Sequence, residues 1–120
     1  MRVFKNTWFT RFAIKESITD SELREAVEQL EAGQADADLG GDVYKIRFTR
    51  SGKGKSGGYR VIVFFKSEKL AFYVYGFAKS VIGNIDDKQL RDFRRTAKAV
   101  LALTENQLED VLKTGKYIEI

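Results

Sequence analysis

The chain has 120 residues, 43% of them hydrophobic and 32% charged, enough for one ordinary domain with its own core. It contains no Cys, no His and no Pro, which excludes disulfides, thiolate nucleophiles, Cys- or His-based metal sites and histidine acid–base catalysis. The net charge of +4 is unevenly spread: Glu16 to Asp42 holds nine acids and one base (Arg24), whereas Lys45 to Arg60 holds six bases and no acid. One reading of this asymmetry is that the two segments face each other as surface charge.

Taken in chain order, Arg2–Lys5 is a short strand candidate. Trp8, Phe9, Phe12 and Ala13 recur at helical spacing and predict a helix over about 7–16. Thr19-Asp20-Ser21-Glu22 is a capping box. Leu23, Ala26, Val27 and Leu30 continue it as an apolar stripe that Gly33 closes. Gln34 to Asp42 reads as a loop. Three runs rich in β-branched and aromatic residues follow, at Val43–Thr49, Tyr59–Lys66 and Leu70–Phe77. Ser67-Glu68-Lys69 is short enough for a hairpin between the last two. The middle run is apolar on both faces, so it belongs in the centre of an antiparallel sheet. Asp86 can cap a helix reaching about Leu103, with Leu90, Phe93, Ala97, Val100 and Leu101 inward. Thr104 and Gln107 form a second capping box. Leu108, Val111 and Leu112 give a short final helix closed by Gly115, and Lys116–Ile120 can form a terminal strand. The expected fold is α+β, one domain over residues 1–120, with N-terminal and C-terminal helices packed on a small antiparallel sheet.

No apolar run is long enough for a membrane span, and the N-terminus lacks the apolar block of a secretory signal; the expected location is the cytoplasm.

Three groups of residues carry possible chemistry. The glycine-rich stretch from Ser51 to Gly58 ends like a phosphate-binding loop at Gly54-Lys55-Ser56. However, Thr49 stands where that motif needs its first glycine, and a strand follows where it needs a helix. A cationic hairpin loop around phosphates, through Arg50, Lys53 and Lys55, is the functional reading; a plain connecting loop is the other. The second group sits on strands. Lys45 and Arg47 share a face by alternation. Arg60 begins the neighbouring strand, and Lys79 closes the next with the parity of Tyr75 and Phe77. If these faces coincide, the cations await an anion, and a nucleic-acid backbone is the candidate; the other reading is that they alternate outward as ordinary edge residues. The third group, Arg91, Arg94, Arg95 and Lys98, forms a basic stripe offset from the apolar one. It is either a solvated face or a second backbone contact. Tyr44, Tyr59, Tyr73, Tyr75 and Phe77 accompany the cations; one or two of these rings could stack on bases.

Ribonuclease chemistry is feasible without histidine. The 2′-OH of RNA can attack its own phosphate once its proton is removed and the developing charge is neutralised. Lysine can serve as base among other cations, arginine can stabilise the charge, and lysine or tyrosine can assist the leaving 5′-oxygen. No metal or other cofactor is required.

The string Val43-Tyr44-Lys45-Ile46-Arg47, the run Gly52-Lys53-Gly54-Lys55-Ser56-Gly57-Gly58-Tyr59-Arg60 and Tyr75-Gly76-Phe77-Ala78-Lys79 resemble the RelE/HigB branch of the RelE/ParE toxin superfamily. Asp38-Leu39-Gly40-Gly41 and Asn84-Ile85-Asp86-Asp87 match the same branch. The resemblance implies a RelE-like fold and a toxin that cleaves mRNA in the ribosomal A site until a cognate antitoxin silences it. It places Lys45 and Arg47 at the family's paired basic positions, one of them the base. Arg60 falls at the phosphate-neutralising arginine and Lys79 at the basic position closing the last strand. The pattern departs at Ser80, where the family carries arginine, and at Asp86, near the family's stacking tyrosine. The acid and base are therefore open, with Tyr75, Lys53 and Lys55 as substitutes. The remaining alternative is a non-catalytic module, either a gyrase-binding relative or an RNA binder.

Overall fold

The structure is a computed structural model that describes residues 1–48, 58–78 and 85–120. Its order is β1 (Arg2–Asn6), α1 (Thr7–Glu16), α2 (Asp20–Glu31), β2 (Ala37–Asp38), β3 (Val43–Phe48), β4 (Tyr59–Lys66), β5 (Leu70–Ala78), α3 (Asp87–Leu101), α4 (Glu105–Lys113) and β6 (Tyr117–Glu119). The six strands form one sheet in the order β2-β3-β4-β5-β1-β6. All neighbours are antiparallel except β1 and β5. The fold class is thus the α+β arrangement expected. One difference is β2: the segment 34–42 is not all loop, because Ala37 and Asp38 pair with Lys45 and Tyr44. Two residues are too few to show alternation in sequence.

The local signals that start the helices are all realised. Thr19 and Thr104 make reciprocal capping boxes with Glu22 and Gln107, and the Asp86 carboxylate accepts from Gln89 N. The α1 cap is Asn6, whose side-chain oxygen accepts from Phe9 N at 2.7 Å.

Alternation along β4 divides the core into two layers. Val61, Val63 and Phe65 face α1 and α2, packing with Phe9, Leu23 and Val27. Ile62 and Phe64 face α3 and α4, packing with Ala97, Val100 and Leu108. Burying both faces makes β4 central, and each of its large apolar side chains removed from water contributes about 1.5–3 kcal/mol.

A bulge interrupts this regularity. Ile62 pairs with Tyr75, but Val63 pairs with Tyr73, so Val74 is an extra residue on β5. An extra residue reverses the parity of everything beyond it. Tyr73 is buried on the α1/α2 face, whereas Tyr75 packs on the α3/α4 face. Asn6 braces the bulge, donating through Nδ2 to the Val74 carbonyl at 3.1 Å while it caps α1. Gly76 then falls beneath α1. A Cβ there would lie 2.4 Å from the Phe12 ring, which explains glycine in mid-strand.

Candidate functional site

The β3–β4 register sets Arg47 opposite Arg60 and Lys45 opposite Ile62; the β4–β5 register continues these rows to Phe77 and Tyr75. One sheet face therefore carries three cations on two strands and two aromatic rings on the third. The bulge places both rings there; a regular β5 would have turned Tyr75 and Phe77 to the opposite face. Like charges directly opposite on neighbouring strands repel, so the Arg47–Arg60 pairing costs the fold stability.

Arg60 is the most constrained member. Its side chain is only 13% exposed and Nε lies 3.3 Å from Asp36 Oδ2. Its Nη1 is buried and has no hydrogen-bond partner among the described residues. Lys45, 17% exposed, brings Nζ to 3.8 Å of the same carboxylate oxygen. Part of the charge asymmetry is thereby resolved: one acid of the 16–42 segment meets two cations of the 45–60 segment. Arg47 is exposed at the end of β3 and borders a cleft of about 200 Å³ shared with Glu22, Glu25 and Gln29 of α2.

Tyr75 is half-buried among aromatic rings, 4.5 Å from Trp8, 5.8 Å from Phe93 and 6.2 Å from Phe77 between centroids. Trp8 also stacks on Phe12 at 5.3 Å, yet is 44% exposed. It is the only tryptophan in the chain, and sequence spacing alone assigned it to an apolar stripe.

Tyr59 is not available to RNA. Its odd parity relative to Arg60 turns it to the α1/α2 face, where it is buried and its hydroxyl donates to Glu16. Tyr73 is likewise core. Its hydroxyl donates to the Leu23 carbonyl at 2.7 Å, and burial pushes the phenol far above its ordinary range. Tyr44 packs against Phe65 with a phenol raised by burial and by Asp38 and Asp42.

The α3 stripe divides. Arg94 lies along Gly40 and Gly41 and donates through Nε to the Leu39 carbonyl at 3.0 Å, with Nη2 on the same oxygen. Both glycines have positive φ; a side chain there would be strained and would crowd the guanidinium. Arg94 thus fastens the 38–42 turn. Arg95 sits 3.5 Å from Asp92. Arg91 and Lys98 are exposed, and Lys98 borders a cleft of about 370 Å³ with Lys66, Arg94 and Asp42. Arg50, Lys53, Lys55 and Lys79, with Ser80, lie outside the described residues. Among the described residues no cluster of acids has the geometry of a metal site, and no helix is long and apolar enough to cross a membrane.

The family model described as the RelE toxin of the RelE / RelB toxin-antitoxin system matches residues 1–120. The chain belongs to the RelE toxin family. No curated protein matches it. Membership makes it the toxin of a toxin–antitoxin system and implies an antitoxin as partner. Within this RelE toxin, Asp36 lies against Lys45 and Arg60 and Trp8 against Tyr75, and sequence reasoning placed neither beside the candidate residues. Asp36 carried a signal only as one acid among nine.

Proposed function

We propose that this RelE-family toxin is a ribosome-dependent endoribonuclease that cleaves mRNA in the A site and so stops translation in the cytoplasm. The observation that carries the reading is the cross-strand pair Arg47–Arg60, joined by Lys45, with a buried Arg60 donor that has no hydrogen-bond partner among the described residues. A folded chain retains repelling cations and an unmet donor where an anion completes them, and a phosphodiester is such an anion. Tyr75 and Phe77 on the next strand, with Trp8 of α1 against Tyr75, support a nucleic-acid ligand over a free phosphate.

In this reading Arg60 binds the scissile phosphate and neutralises the charge that grows as the 2′-OH attacks. The 2′ proton passes to a base and the 5′-oxygen takes a proton as it leaves, giving a 2′,3′-cyclic phosphate and a 5′-OH. Lys45, Arg47, Tyr75 and Lys79 are the groups from which base and acid are drawn. Arg50, Lys53, Lys55, Arg91 and Lys98 would hold the flanking RNA and ribosomal RNA. The antitoxin would silence the toxin by covering the cationic face.

Primer-extension mapping of mRNA after induction tests this. Cuts at A-site codons with the wild type, and none with Arg60→Ala, are expected. DNA breaks without mRNA cuts would replace this reading with that of a gyrase poison.

A further inference from the structure

We propose that Asp36 is a positioning residue for the cleavage site: a fixed counter-ion that holds Lys45 and Arg60 together for the phosphate and makes no bond to the RNA. This rests on the ribonuclease reading above.

The geometry carries it in three steps. First, Lys45 and Arg60 are both largely withdrawn from water, at 17% and 13% exposure, and both approach Asp36 Oδ2, at 3.8 and 3.3 Å. Two cations so placed repel strongly in a medium less polar than water. The shared carboxylate lets both stay. Second, Asp36 meets Arg60 from the Nε edge and leaves Nη1 without a hydrogen-bond partner among the described residues. The guanidinium is therefore gripped on one side with a donor still to be used. Third, one carboxylate between Lys45 and Arg60 leaves a formal excess of one positive charge, so the pair still attracts an anion, and attracts the charge that builds on the phosphate in the transition state more strongly than that of the ground state.

A carboxylate could instead be a placeholder that the substrate expels, but the anchoring of this segment argues against that. Asp36 N donates to the Lys45 carbonyl at 2.9 Å, and Ala37 and Asp38 are paired in β2. The Asp38 side chain accepts from Gly40 N at 2.9 Å, and Arg94 fastens Leu39. The carboxylate is thus presented by a braced turn.

The test uses the full-length toxin and its Asp36→Asn, Asp36→Ala and Asp36→Glu variants in two assays. Binding is read by anisotropy on a labelled single-stranded RNA carrying 2′-O-methyl groups throughout, which cannot be cut. Cleavage is read as the single-turnover rate on mRNA-programmed ribosomes at saturating toxin. Losing one repulsive charge near the phosphate should tighten probe binding by Asp36→Asn and Asp36→Ala about fivefold. Losing the grip on the cations should slow cleavage by about tenfold or more. Asp36→Glu should recover part of the rate. Tighter binding with slower cleavage is a combination that mere support of the fold does not produce. Cleavage at the wild-type rate or faster in the near-isosteric Asp36→Asn would make Asp36 a placeholder and overturn the proposal. Weaker binding together with a lower unfolding midpoint would reduce it to a fold contact and overturn it too. If the wild type itself fails to cut, the ribonuclease reading falls and takes this proposal with it. A cutting wild type matched by Asp36→Asn refutes the Asp36 role alone.

Discussion

Replacing Arg60 by methionine separates a residue kept for folding from one kept for a ligand. The change removes an ion pair to a carboxylate that keeps 29% of its surface in water, an interaction whose net worth is about 1 kcal/mol. It also removes the buried Nη1 donor, which has no hydrogen-bond partner among the described residues; burying such a donor unmet costs about 1–3 kcal/mol. Repulsion across the Arg47–Arg60 pair disappears as well, a gain of a few tenths of a kcal/mol or more. Methionine keeps an apolar stem of similar reach in the same place, so little packing is lost, and Asp36 retains Lys45. The sum predicts that Arg60→Met is as stable as the wild type or more so, by up to about 2 kcal/mol. RNA affinity should move the other way. Losing charge-assisted hydrogen bonds to a phosphate, about 1.5–3 kcal/mol, weakens binding roughly 10- to 100-fold. Urea unfolding gives the first quantity and anisotropy on the uncleavable RNA the second. A stability loss above about 1 kcal/mol would identify Arg60 as a fold element instead, and unchanged RNA affinity would show that it does not hold the phosphate.

Other outcomes follow from the same structure. Gly76→Ala drives a methyl group into the Phe12 ring, whose nearest atom stands 2.4 Å from the new carbon; the cost should be about 1–3 kcal/mol in urea unfolding. Phe12→Leu in the same chain should relieve part of that cost, and simple additivity of the two losses would contradict the clash. Trp8 packs tilted against Tyr75 beside the cation row, so binding of the uncleavable RNA should change the emission of this sole tryptophan; binding seen by anisotropy with no change in emission would place the RNA elsewhere. The Arg2 guanidinium donates to both oxygens of Glu119, at 2.9 and 2.8 Å, and holds that carboxyl below its ordinary value. A depressed acid stabilises the fold above its unfolded pKa and loses that contribution as pH falls through its folded one. Glu119→Gln should therefore flatten the fall in unfolding midpoint below about pH 4, and an equally steep fall in both proteins would show that the pair is not responsible.

Much of the fold was legible because its signals are local. The capping boxes at Thr19 and Thr104 and the cap at Asp86 depend on residues three apart. The doubly apolar run from Tyr59 to Lys66 can only sit between two neighbours. The parts that escaped depend on distant residues. The Val74 bulge exists because β5 must meet β4 on one side and the Asn6 brace on the other, and nothing in the run Leu70–Phe77 marks the extra residue. Tyr59 looks like a companion of Arg60 until the sheet turns it inward. Asp36 is one carboxylate among many until the pairing of Ala37 with Lys45 brings it to the cations. Lys45, Arg47 and Arg60 were legible as a group, since alternation and strand order suffice to align them. The role of Arg94 was not, because its partner is a backbone carbonyl in a turn fifty-five residues away.

The proposed cleavage of mRNA by the Lys45–Arg60 face of this RelE toxin leaves products that can be read directly. The most direct measurement is end-group mapping of mRNA taken from programmed ribosomes after treatment with purified toxin. A-site cuts bearing a 2′,3′-cyclic phosphate and a 5′-OH are expected, lost in Arg60→Ala and strongly reduced in Lys45→Ala. Identical cuts from the Arg60→Ala protein, or intact mRNA with the wild type, would contradict cleavage by this face.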